Sequence, residues 1–361
     1  MTGDRVDAAL ARPREAGTAA AAGARAVLAE ELSALGFDVE VQRFAFSPSS
    51  LNAFPILGAG LGWLVLVTTP LLLIPAVPAW AALAAWGLGL GALLLVVRGV
   101  GLGWGARGSA LREDANLIAT RPGGGPPRLW IVAHTDTKAQ GHSMAGRLVA
   151  VWIMIVAVVA LTGSAVARLR GPVSATLVAG AAGVALAAGV LAMRGRLRGQ
   201  SPGARDNGSG VVAALAAARR ITDPAVGILL TGAEEFGLVG ARIVATTRAD
   251  LIAGTEVVNI DTVDQSGVLA IVSHDARGHR LAERLAPGLH SESWTVRKRR
   301  LPLGIFVDSY PLARAGASAV TVARLDWSTL RVIHTPRDTM DGLSLETARA
   351  VGAAVADWAN G

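Results

Sequence analysis

The stretch AVGILLTGAEEFGLVGAR, residues 225–242, opens as an apolar run and closes on two adjacent carboxylates, Glu234 and Glu235, followed at once by Gly237 and Gly240. An apolar run bounded by a turn signal reads as a strand buried on both faces. Consecutive side chains leave a strand on opposite faces, so an acidic pair at its end has two readings. It is a solvated turn, or it presents two carboxylates to one cleft in different roles.

Working outward, RLWIVAHTDT (128–137) and TEVVNIDTV (255–263) are buried runs of the same kind, each carrying polar residues toward its end. ANLIATRP (115–122) is a further strand, set off by the turn GGGPP, and FDVEVQRFAF (37–46) alternates as a strand should. Residues 18–35, 210–221 and 343–360 carry apolar residues at helical spacing, the first ending at Gly36. Buried strands alternating with helices predict an α/β fold, with a mixed, mostly parallel sheet flanked by helices.

At 52% hydrophobic and 17% charged residues, with a mean hydropathy of +0.46, the 361-residue chain is too apolar for an ordinary soluble domain. No Asp, Glu, Lys or Arg occurs in the 54 residues between Arg43 and Arg98, the 20 between Arg147 and Arg168, or the 23 between Arg170 and Arg194. About 20 apolar residues cross a bilayer's hydrocarbon layer. The first gap holds two spans, near 53–74 and 79–98, parted by IPAVP; the others hold one each, near 148–167 and 173–193. Buried core helices also lack charge, but rarely over such lengths.

The expectation is an integral membrane protein with four transmembrane helices in two hairpins, 51–98 and 148–193, inserted into one discontinuous domain of 1–47, 99–147 and 194–361. Each hairpin crosses twice, so the three soluble pieces share one side. Arg43, Arg98, Arg107, Arg112, Arg147, Arg194, Arg196 and Arg198 flank the membrane on that side, against Arg168 and Arg170 on the other, which predicts a cytoplasmic domain. The net charge of +7 is therefore read as a topology signal. No nucleic-acid partner is expected, because no basic stripe with interleaved aromatics occurs. The absence of cysteine excludes disulfides and thiolate ligands, and the first 30 residues show no apolar core of a cleavable signal peptide.

Polar residues gather at strand ends or in the loops after them: His134 and Asp136 in AHTDT, Asp206 in GARDNGSG, Glu234 and Glu235, Asp261 in NIDTV, and His334 and Asp338 in VIHTPRDTMD. In an open α/β sheet, sites lie beyond the carboxyl ends of the strands. Two imidazoles and three carboxylates suit a pair of zinc ions, which take nitrogen and oxygen ligands.

In this order the motifs resemble those of the two-zinc peptidases of metallopeptidase family 28. The resemblance covers about 260 residues, begins at RPREAGTAAAAGARAVLAEELSALGFDVEVQRF and excludes the spans. It implies a zinc aminopeptidase-like fold with two Zn2+ ions per chain. Asp206 would bridge both ions, His134 and Asp261 would complete one, and Glu235 and His334 the other. Asp136 would hold the His134 imidazole, and Glu234 would be the catalytic general base. The implied substrate is a peptide or aminoacyl amide, with a lipid-tailed amide admitted because the second hairpin interrupts the stretch between His134 and Asp206.

Two features depart from the family. Arg205 stands where many members carry a further acid. Secreted members use a tyrosine in the region equivalent to LPLGIFVDSYPLARAG, but the single tyrosine here, Tyr310, is displaced from that place, and Asp308 is expected to be structural. His142, His274, His279 and His290 have no partner motif and are expected on the surface or in loops. Two alternatives stay open: a single-zinc amidase or cyclase acting on modified amino acids, and a non-catalytic membrane receptor or scaffold. The sequence leaves the oligomeric state unknown.

Overall fold

A computed structural model describes residues 2–101, 111–302 and 304–361. Arg107 lies outside the described residues. The chain divides into two compact units, Met1–Phe46, Leu111–Ala139 and Gly199–Gly361 forming the first, Ser47–Ala110 and Gln140–Arg198 the second. Residues 140–147 and 194–198 thus fall in the second unit.

The first unit is built on eight strands: β1 (Asp38–Phe46), β2 (Arg112–Thr120), β3 (Leu129–His134), β4 (Val226–Thr231), β5 (Glu256–Val263), β6 (Val268–Ser273), β7 (Val296–Arg300) and β8 (Ser318–Leu325). They form one sheet in the order β1-β2-β4-β3-β5-β8-β6-β7. The inner strands β4, β3, β5 and β8 are parallel. The pairs β1–β2, β2–β4 and β6–β8 are antiparallel, and β6–β7 is parallel. The mixed, mostly parallel sheet flanked by helices is as expected.

Every residue of β3 and β4 is buried, as a strand covered on both faces requires. On one face, Ile131, Ile228, Val258 and Val322 pack with Leu28, Val211, Leu285 and Val355 of four helices. On the other, Val132, Leu229 and Val257 meet Ala241, Val244, Ile252 and Leu312. The helix Ala19–Ala34 starts where the Thr18 side chain accepts from the Ala21 amide, a helix N-cap. Although GGGPP joins them, β2 and β3 are not neighbours, because β4 lies between them.

Among the described residues, the second unit contains four helices long and apolar enough to cross a bilayer, Pro48–Leu73, Ala79–Val100, Met144–Arg170 and Ala175–Met193. Leu61, Trp86, Met154 and Val178 lie inside this bundle, while Trp63, Leu88 and Leu177 face outward. An outward apolar surface on helices of this length suits lipid rather than water. A Cβ placed on Gly58 would lie 2.4 Å from the Gly189 carbonyl oxygen, so the two backbones approach as small residues permit in membrane bundles. The Trp86 indole donates to Thr162 Oγ1 at 2.9 Å, and Arg168 donates to the carbonyls of Leu71, Ile74 and Val77 where the first hairpin turns.

Candidate metal centre

The carboxyl ends of β3, β4 and β5 converge, and each delivers a functional group. His134 is the last residue of β3, Glu234 and Glu235 sit in a single turn after β4, and Asp261 lies near the end of β5, where the register with β8 shifts between Ile260 and Val263. Asp206 arrives on the loop before the helix Ser209–Arg220, and His334 on the loop after the short helix Trp327–Leu330.

Asp206 stands between the two imidazoles. Its Oδ1 lies 3.1 Å from His134 Nε2 and its Oδ2 3.1 Å from His334 Nε2. His334 Nε2 is 3.3 Å from Glu235 Oε1, and His134 Nε2 is 3.8 Å from Asp261 Oδ1. Two sets of three ligand atoms result, His134–Asp206–Asp261 and Asp206–Glu235–His334, each drawn within 4.8 Å. The five residues expected as metal ligands are thus together. Glu234 Oε2 reaches to 3.9 Å from His134 Nε2.

The backbone around these groups is strained where they project. Four non-glycine residues have positive φ among the described residues, Ala233, Leu238, Thr262 and His334; one is a site residue and two adjoin one. Left-handed backbone at non-glycine positions persists only where the surroundings enforce it, and it clusters at functional sites. Gly240 is needed for close approach, since a Cβ there would lie 2.3 Å from both Asn116 Oδ1 and the Gly232 carbonyl. The Asp206–Asn207 peptide is cis.

A buried frame holds the loops. Asp338 accepts from the amides of Arg205 and Asp206 at 2.9 and 3.1 Å. Asn207 donates to the Ile260 carbonyl and accepts from the Thr262 amide, tying the Asp206 loop to β5. Arg205 turns away from the ligands to Asp264, with Nε 3.0 Å from Oδ2. Asp136 takes a place that sequence reasoning did not foresee. Its carboxylate accepts from the backbone amides of Glu234 and Glu235 at 2.9 and 3.2 Å, while its Oδ1 is 3.6 Å from His134 Nδ1. It therefore anchors the two-glutamate turn as directly as the imidazole.

Three further residues carry no motif. Arg14, fully buried, donates to the carbonyls of Leu10, Arg12, Thr135, Pro202 and Gly203, joining the chain's start to the His134 and Asp206 loops. Lys138 is buried with Nζ 2.5 Å from Glu235 Oε2, leaving Oε1 as that carboxylate's free oxygen. Asp308 is buried and accepts from Thr231 Oγ1. Lys138 lies two residues past Asp136 in the sequence; the role of Arg14 depends on carbonyls from two distant loops, at Thr135 and at Pro202 and Gly203, which no local pattern reveals. Tyr310 is 46% exposed and packs edge-on against His274. His279 and His290 are exposed, and His142 and His274 lie in loops, as expected; His142 is buried against Phe54, and His274 is half-buried with Nε2 2.7 Å from Ser309 Oγ.

Electrostatics separate the paired glutamates. Burial, reinforced by Glu235, Asp308 and Asp261, holds the Glu234 carboxyl well above the usual range even beside His134. Glu235 moves the other way, to about 2, because His334 and Lys138 outweigh its burial. Burial raises Asp261 to about 6 and Asp308 to about 7. Burial would also raise Asp206, but the two imidazoles overcome it and hold that carboxyl far below its ordinary value. The carboxylates in turn raise both imidazoles against burial, His134 through Glu234 first and His334 through Glu235 first.

The donor set fits a metal centre. Asp206, Glu234, Glu235 and Asp308 are buried close together beside the half-buried Asp261, and among the described residues Lys138 is the one ammonium that touches them. Burying so many carboxylates is unfavourable unless cations compensate. Among the described residues, Glu235 Oε1 has no hydrogen-bond partner beyond the His334 imidazole 3.3 Å away, itself a candidate ligand.

This sheet, with its site at the carboxyl ends of the central parallel strands, is the zinc aminopeptidase-like fold. Residues 186–359 match Peptidase family M28. That match includes Asp206, Glu234, Glu235, Asp261 and His334, while His134 and Asp136 precede it. Among solved structures, the chain is similar to Porphyromonas gingivalis glutaminyl cyclase (16% identity, 99% of this chain and 96% of that chain covered, TM-score 0.58). It is also similar to the aminopeptidase from Aneurinibacillus sp. strain AM-1 (16%, 98% and 92%, TM-score 0.54). A third is a Zn-dependent exopeptidase from Parabacteroides distasonis (15%, 99% and 94%, TM-score 0.56). No curated protein matches by sequence.

Proposed function

We propose that the chain is a membrane-embedded two-zinc exopeptidase of the aminopeptidase type, hydrolysing an amide bond next to a free amine. The observation that carries this reading is the position of Asp206, whose two oxygens each face a different imidazole and so belong to two ligand sets at once. A carboxylate shared in this way supports two ions side by side, with His134 and Asp261 on one and Glu235 and His334 on the other. Bound there, zinc would supply Lewis acidity for the carbonyl and lower the pKa of a water molecule.

The protein's own groups divide the remaining work. Glu234, with its pKa raised, takes the proton from the attacking water and returns it to the leaving amine. Glu235, with its pKa depressed, stays ionised as a ligand through Oε1, its Oε2 being held by Lys138. The two adjacent carboxyls are driven in opposite directions by their different neighbours, His334 and Lys138 beside Glu235 and the acids Glu235, Asp308 and Asp261 around Glu234, which is consistent with different roles. Asp136 positions both glutamates through their amides.

A second reading, a single-zinc cyclase or amidase, draws support from the glutaminyl cyclases among the similar structures, and from Asp308, a buried carboxyl pushed up to about 7 beside the general base. The test is a panel of aminoacyl amides, N-blocked peptides and N-terminal glutaminyl peptides, run with Glu234→Gln and Glu235→Gln. Hydrolysis confined to free amines, lost by orders of magnitude in Glu234→Gln with zinc retained, and zinc weakened in Glu235→Gln, is the expected pattern. Cyclisation without hydrolysis would select the second reading. Near wild-type turnover in zinc-loaded Glu234→Gln would refute the assigned base.

A further inference from the structure

The chain's basic charge is not confined to the flanks of the apolar helices. Residues 276–300 contain seven basic residues, Arg277, Arg280, Arg284, Arg297, Lys298, Arg299 and Arg300, against two acidic ones, Glu283 and Glu292, a net +5 of the chain's +7. All seven are exposed. They lie on β7, the last strand of the sheet, and on the helix Ala276–Gly288 packed beside it.

Some of this charge is matched: Arg277 pairs with Asp275, Arg284 with Glu256, and Lys298 with Glu283. Among the described residues, no acid pairs with Arg280, Arg297, Arg299 or Arg300. The register puts Arg297 and Arg299 opposite Ala270 and Val272 on one face of the sheet, and Lys298 and Arg300 opposite Ile271 and Ser273 on the other. The charge therefore wraps around the edge of the sheet. Charged side chains also blunt an edge against strand pairing, but here exposed charge lies on both faces of β7 and continues onto the neighbouring helix at Arg280. Directly after it come the half-buried Leu301 and Ile305 and then Phe306, 59% exposed, in the segment that leads to Asp308.

We propose that the β7 edge, with Arg297, Arg299 and Arg300 and the adjoining Phe306, docks on anionic lipid headgroups. The basic row would meet phosphates and the apolar tip would enter the interface, the composition of interfacial anchors. Four helices apt to cross a bilayer give the reason for choosing lipid, since a domain tethered by them meets the membrane surface at high effective concentration. Each basic side chain near an anionic surface strengthens such docking about fivefold. This inference rests on the membrane-embedded part of the proposed function, and not on its chemistry.

The test uses the full chain in nanodiscs of phosphatidylcholine alone or with about a third phosphatidylglycerol, the fraction setting the surface potential, and reads amide hydrogen exchange over 296–306. Exchange should slow by about tenfold or more with the anionic lipid and recover in high salt. The slowing should disappear in Arg297→Glu/Arg299→Glu and persist in the control Arg242→Glu, with circular dichroism unchanged in both. Equal exchange in the two lipids, or slowing that survives the double charge reversal, would overturn the docking surface. So would slowing by soluble polyglutamate but not by lipid, which would mark an acidic protein partner. Resistance of the chain to alkaline carbonate extraction reports embedding separately, so failure of that reading is distinguishable from failure of the docking.

Discussion

Replacing Asp136 by asparagine removes one charge and one acceptor and moves nothing else. The carboxylate is fully buried and receives the Glu234 amide at 2.9 Å and the Glu235 amide at 3.2 Å. Asparagine keeps one of these bonds, now neutral, and turns its amide group toward the other N–H, donor against donor. Converting a charge-assisted bond to a neutral one costs about 1 kcal/mol, and a buried N–H left unpaired costs about 1–3 kcal/mol. The turn that carries both glutamates is therefore weakened by about 2–4 kcal/mol. At about 1.4 kcal/mol per factor of ten, kcat/KM should fall roughly 30- to 1000-fold. Because Glu235 rides on the same turn, zinc affinity should fall with it. The assay is kcat/KM on an aminoacyl amide alongside zinc affinity measured by titration against a buffered zinc series. A rate within threefold of wild type and unchanged zinc affinity would refute the reasoning. Loss of zinc affinity with kcat intact on reloading would instead assign the carboxylate to the imidazole alone.

Zinc uptake should release protons near neutral pH, because both imidazoles are raised above 6.5 in the metal-free protein and must be neutral to bind. Protonated imidazoles become more abundant as pH falls, so apparent affinity falls with it. Calorimetry in buffers of different ionisation enthalpy should show about one to two protons released per chain, and no buffer dependence would contradict this. Cysteines introduced as Ser164→Cys and Ser291→Cys into this cysteine-free chain should place the catalytic unit in the cytoplasm. Labelling of the second but not the first by an impermeant reagent in intact cells would reverse that orientation. If the second hairpin, which interrupts the chain between His134 and Asp206, brings substrate along the bilayer, efficiency should rise with tail length on an aminoacyl amide beyond what partitioning explains. Each buried methylene is worth about 0.8 kcal/mol. Equal corrected efficiency for short peptides and tailed amides would leave the spans as an anchor.

The legible parts of the fold were those with a single dominant physical cause. β3, β4 and β5 are buried runs that admit few other readings, and the 54-residue stretch without charge holds two helices long and apolar enough to cross a bilayer. The edge past β8 was not legible: β6 is six residues of ordinary composition, and β7 is VRKRR, which has no apolar alternation and is a strand only because β6 supplies hydrogen bonds. The basic surface is likewise invisible in the sequence, because VRKRR becomes one face-wrapping row only when β7 pairs with β6.

In the site, the candidate ligand types were legible because imidazoles and carboxylates at strand ends are scarce and chemically specific, and the fold brings them together. Their support was not. Asp136 lay in view, but its hold on the Glu234 and Glu235 amides depends on β3 and β4 being neighbours in the sheet. Asp308 was expected to be structural, and its place next to Thr231 and the general base emerges only when the chain returns from β7. Arg14 belongs to the same class, a buried guanidinium whose five carbonyl partners come from three separate segments.

The central claim is that Asp206 serves two metal ions, and the zinc content of the purified full-length chain, measured by elemental mass spectrometry, tests it most directly. The account predicts two zinc ions per chain, one lost in His134→Ala, one lost in His334→Ala, and both lost in Asp206→Asn. A single ion in the wild-type chain, or two ions retained in Asp206→Asn, would contradict it.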